Sequence, residues 1–66
     1  MPNNIHKYTN LSTALTVVGK YTDAIVYADK ALAINPAHML AKFNKAFGFY
    51  MLGKLPDADT WYHNLR

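Results

Sequence analysis

Any chemistry in this chain must be built from His6, His38, His63, four aspartates and a few hydroxyls, because its 66 residues include no cysteine and no glutamate. The histidines lie far apart, and none has a second His or a Cys at the spacing a metal site requires. Asp57 and Asp59 are two positions apart, too close to share one face of a helix. Their place near an expected helix start suits the positive end of the helix dipole, which accounts for them without catalysis. No Ser-His-Asp spacing, phosphate-cradling glycine loop or HExxH is present. The sequence therefore predicts a non-enzyme that needs no cofactor and no metal. What remains is binding chemistry. Phe43, Phe47 and Tyr50 are spaced four and three apart, so they share a helical face. If exposed, that face is a sticky patch of the kind that marks an interface, and the alternative is that it forms core.

Positioning such a face requires a fold, and the composition is that of a globular chain: 52% hydrophobic and 14% aromatic. At this length one domain is the limit and a single core is marginal, with no disulfide to support it. The net charge is +3, from Lys7, Lys20, Lys30, Lys42, Lys45, Lys54 and Arg66 against Asp23, Asp29, Asp57 and Asp59. The lysines are spread along the chain instead of clustered, which argues against a nucleic-acid patch and leaves acidic partners open. The opening MPNNIH lacks the apolar stretch of a secretory signal, and the run from Ala46 to Leu52 is too short to span a bilayer. The expectation is a cytoplasmic protein with no membrane partner.

The stretch Gly19 to Pro36 organises the rest. After the Gly19-Lys20 turn, Asp23 falls in a first helical turn, and Ala24, Ile25, Ala28, Ala31 and Leu32 form one stripe. Asn35-Pro36 closes it, because the residue before proline is pushed out of helical geometry. Small residues along that stripe let a neighbouring helix come close. Before it, Asn3 or Asn4 can cap a first helix, whose stripe is Ile5, Tyr8, Leu11, Leu15 and Val18. Its many threonines lower helix propensity, so it should depend on its neighbour. A third helix runs from about Ala37 or His38 towards Leu52, apolar nearly all round in its second half, with Gly48 in its middle. A fourth follows Gly53, with Pro56 in its first turn and a stripe of Ala58, Trp61, Tyr62 and Leu65.

Displacing the sequence on itself by 34 residues sets Gly19 on Gly53, Lys20 on Lys54, Asp23 on Asp57, Ala24 on Ala58, Asn10 on Asn44, Ser12 on Ala46 and Leu15 on Phe49. A helix, a Gly-Lys turn and a second helix thus occur twice. This arrangement resembles the tetratricopeptide repeat, whose period is 34 residues. The resemblance rests on Tyr8, Leu11, Ser12, Leu15, Gly19, Tyr21, Ala24, Ala31 and Pro36, and more weakly on Ala46, Phe49, Gly53, Ala58 and Tyr62. It implies an all-α fold of two stacked helix-turn-helix units, a right-handed solenoid fragment, with unit one at about 5–38 and unit two at about 39–66. Departures are Ala28, where the family often has an aromatic residue, and Lys42 and Lys45, where it has large apolar ones. An unpaired buried ammonium is costly, so the third helix is expected to be rotated or loosely packed at its start.

The resemblance further implies a concave groove, lined by the first helix of each unit, that holds a peptide or helix from a protein partner. Its residues here would be Thr9, Asn10, Thr13, Phe43, Asn44, Phe47 and Tyr50, flanked by His6, Thr16, Leu40 and Met51. Asn10 and Asn44 would hydrogen-bond a ligand backbone, since an amide both donates and accepts; the alternative is two solvated asparagines. The carboxylate clamp of some family members does not carry over, because Thr9 and Thr13 occupy its first-unit positions. Two units without a cap leave apolar surface open, which predicts a homodimer or higher oligomer joined through Trp61, Tyr62 and Leu65. Two rivals stand beside this reading: a designed or excised repeat unit with no ligand, and a weak basic nucleic-acid binder.

Overall fold

The computed structural model describes residues 4–65, and among these it contains four α-helices: α1 (Ile5–Val17), α2 (Tyr21–Ile34), α3 (Met39–Met51) and α4 (Leu55–His63). Two turns repeat. Gly19 and Gly53 take φ of +85° and +79°, a left-handed conformation that suits glycine. Around them the same pair of backbone bonds closes each helix. Gly19 N–H donates to the Thr16 carbonyl and Lys20 N–H to that of Leu15, and Gly53 and Lys54 do likewise to Tyr50 and Phe49. This is a Schellman termination, made twice from the same dipeptide. Since α3 begins and ends 34 residues after α1, and α4 begins 34 after α2, the repeat in the sequence is a repeat in the backbone.

Other boundaries have different causes. Asn4 precedes α1 without a side-chain capping bond, and Asn3 lies outside the described residues. The expected start of α3 shifts by one residue because His38 is its N-cap: Nδ1 accepts from Ala41 N–H at 3.3 Å. Between α2 and α3, Asn35 is extended and its side-chain oxygen accepts from Ala37 N–H, a local turn before the next cap.

The helices pack in chain order, α1 on α2, α2 on α3 and α3 on α4, with α1 also touching α3. Among the described residues α4 touches neither α1 nor α2, so the helix pairs are stacked, in a slab of 37 × 27 × 13 Å. The seam along which the helices pack is alanine. Ala24, Ala28, Ala31, Ala41, Ala46 and Ala58 are all buried, and Ile5 is the one larger aliphatic among the fully enclosed described residues. Gly48 adds a close approach: a Cβ there would stand 2.7 Å from Ile25 Cγ1, so any larger residue requires the Ile25 side chain of α2 to shift or α3 to move away.

Two expectations need correction. The buried face of α1 is turned relative to its apolar stripe: Leu11 and Val18 are exposed, while Thr9 and Ser12 are enclosed. Hydroxyls at those positions bury at little cost because each donates to a nearby carbonyl. Thr9 donates to Ile5 at 3.0 Å, Thr16 to Ser12 at 2.8 Å, and Ser12 across the interface to Ala24 at 2.8 Å. Of these, only the Ser12 bond leaves the helix, and it ties α1 to α2. Nor is α3 loose at its start, since Ala41 is fully buried; of the two expected alternatives it is the rotated one that fits, with Met39 and Leu40 turned outward. Lys45 lies between helices because it is not unpaired: its ammonium meets the Asp29 carboxylate of α2. The same ammonium sits 4.4 Å above the ring of Trp61 on α4 and 5.9 Å from that of Phe49. One cation therefore ties three helices together.

Candidate functional site

The residues named from sequence as a groove do not share one environment. Thr9 and Asn44 are interior, 2% and 3% exposed, and so offer nothing to a partner. Asn44 instead spans two helices, its amide NH2 donating to the Thr13 hydroxyl at 3.1 Å. Its equivalent one repeat earlier, Asn10, is exposed, so the two asparagines are not interchangeable. Where α1 meets α3, then, Thr13 and Asn44 form a polar bridge between the helices, and Asn10 and the outer side of Thr13 remain accessible.

The other named residues lie on α3, and here the face is open. Phe43 and Tyr50 are exposed, and Phe47 is half-buried between them. The rings of Phe43 and Phe47 stack with centroids 6.1 Å apart and an interplanar angle of 17°. Phe47 is fixed from beneath by the edge of Tyr21 on α2, centroids 6.2 Å apart. Met39, Leu40 and Met51 extend the same side of the helix, all exposed. The helix is wrapped by α1, α2 and α4 on its small residues and presents its large ones outward. A comparison one repeat apart makes this plain: Ile5 is 5% exposed and its equivalent Met39 56%.

Trp61, Tyr62 and Leu65, expected as contacts between copies, are each half-buried within the chain. Trp61 in particular is occupied, lying under Lys45. Sequence reasoning missed Lys45 and Ser12 as organising residues. The alignment of Ser12 with Ala46 was the available signal for Ser12, since both fit one small, enclosed slot.

Electrostatically the helices divide. The four aspartates lie on α2 and α4, whereas α1 and α3 carry Lys7, Lys42 and Lys45 and no acid. Among the described residues the ionisable pairs are Lys45 with Asp29, and His63 with Asp59 at 3.5 Å along α4. Among the described residues no group of three or more His, Asp or Glu side chains could hold a metal ion, and no helix is long and apolar enough to cross a membrane. Chemically the arrangement offers apolar contact area and peripheral hydrogen-bonding groups. No protein-family model, curated protein or solved structure matches the chain.

Proposed function

We propose that the chain is a protein-interaction module of the tetratricopeptide type, taking an extended segment or a helix of another protein along the α1–α3 side. The observation that carries this is the uncovered apolar face of α3, built from Met39, Leu40, Phe43, Tyr50 and Met51 around the half-buried Phe47. Large apolar side chains on one side of a helix, held in place from below, supply the anchors such a partner needs. Asn10, exposed at the edge, adds a group that both donates to and accepts from a peptide backbone.

Selection of a displayed random peptide library on the immobilised chain, followed by anisotropy titration of the enriched sequences, tests the proposal. Phe43→Ala and Tyr50→Ala should each weaken binding at least tenfold, while Val26→Ala, exposed on α2, should leave it unchanged. Failure to enrich any peptide, or equal binding by all three variants, would favour a ligand-free structural unit.

A further inference from the structure

Contacts between the two repeats pair α1 or α2 with α3, and four of them have defined chemistry. Asn44 donates to Thr13, Tyr21 meets Phe47 edge-on, Ile25 lies over Gly48, and Asp29 pairs with Lys45. The 34-residue spacing says what stands at each of these positions on the two outward faces. On the trailing face, Phe47, Leu55, Asp59 and His63 replace Thr13, Tyr21, Ile25 and Asp29. On the leading face, Asn10, Thr13, Ala14 and Leu11 replace Asn44, Phe47, Gly48 and Lys45. These outward residues are exposed, apart from the half-buried Phe47, so both faces are accessible to a second copy.

We infer that the two outward faces reject one another, so that copies of this chain do not join head to tail in the register its own repeats use. In that register the Asp59 carboxylate would press on the second copy's Ala14 methyl, where the internal interface sets isoleucine on glycine. His63 would face the second copy's Leu11, where the interior has an ion pair. Phe47 would meet the amide of the second copy's Asn10 in place of a hydroxyl–amide bond. Asp59 and His63 lie 3.5 Å apart with both side chains open to solvent, and covering them with Ala14 and Leu11 removes water and supplies no new partner. Heterologous contacts of this kind would otherwise build open filaments, because nothing in the translation closes it into a ring. The self-association expected from sequence is thereby restricted to geometries that leave this end-to-end contact unused.

The test rebuilds the internal contacts on the ends, one end per variant. A trailing-face variant carries Asp59→Ile and His63→Asp, and a leading-face variant carries Leu11→Lys and Ala14→Gly. Each is measured alone and in an equal mixture by light scattering behind size exclusion, with helicity checked by circular dichroism. Neither variant alone should gain mass, and the mixture should give a complex of twice the 7.5 kDa of one chain. A mixture that keeps the mass of its folded components would overturn the inference. So would wild-type protein whose mass climbs in open-ended steps with concentration. If the helical glycine unfolds the leading-face variant, Leu11→Lys alone replaces it and the same readout applies through the ion pair.

Discussion

Replacing Gly48 with alanine sets two effects of known sign against each other. Removing a glycine from a helix interior stabilises the helix by about 1 kcal/mol. Against this, the new Cβ would lie 2.7 Å from Ile25 Cγ1 and 3.0 Å from its Cδ1, and 3.5 Å from the Tyr21 carbonyl. The last is an ordinary contact; the first requires Ile25 to leave its rotamer or α3 to move away from α2. Overpacking of this kind costs about 1–3 kcal/mol. Ile25 is half-buried and has some freedom to yield, so the middle of that range applies, leaving Gly48→Ala destabilised by about 1 kcal/mol. For a chain of this length that is a fall in Tm of roughly 4–8 °C. Denaturant unfolding of Gly48→Ala, Ile25→Ala and the double variant forms the necessary cycle. Ile25→Ala removes both clashing carbons, so in its background the alanine at position 48 should become neutral or stabilising. A wild-type background in which Gly48→Ala raises Tm would refute the close-approach reasoning, and additive effects would refute the named contact.

Other substitutions should separate the remaining interactions. Lys45→Met should cost about 1–2 kcal/mol, through loss of the Asp29 partner and of the cation over Trp61, and should shift Trp61 fluorescence. Lys42→Met, which loses only an exposed bond to the Asn64 carbonyl, should change the unfolding free energy from urea titration by less than about 0.5 kcal/mol. Ser12→Ala removes a buried donor whose acceptor stays engaged in α2, so a loss of about 1 kcal/mol is expected by thermal melting. Gly19→Ala and Gly53→Ala should each destabilise by about 1–2 kcal/mol, since both positions hold positive φ in open space; unequal losses would show that the two turns are not equivalent.

Much of the fold was legible in the sequence for local reasons. Gly19-Lys20 and Gly53-Lys54 announce their turns, Pro36 and Pro56 announce boundaries, and Ala24, Ala28 and Ala31 announce a stripe that is indeed buried. The misread parts depend on register between helices, which spacing within one helix does not encode. Leu11 looked more core-like than Thr9 because apolarity was weighed without the i−4 carbonyl that receives the threonine hydroxyl. Lys45 looked like a fault because Asp29 and Trp61, which receive it, lie on neighbouring helices. The amide of Asn44 looked free because Thr13 is 31 residues away. Phe43, Phe47 and Tyr50 share one side of α3, as their spacing required, whereas Thr9 of α1 lies in the interior.

The alanine seam has a consequence for how this small protein remains folded at all. A methyl has no rotamers to lose, so each contact along the seam is made without the ordering cost that leucine or methionine would incur. The interior gains modestly from water exclusion but surrenders little side-chain freedom, and its tolerance is set by distance instead of by volume. Ala28 and Ala41 are wholly covered, so a larger side chain at either has no open space to enter, whereas the exposed positions of these helices carry no such restriction.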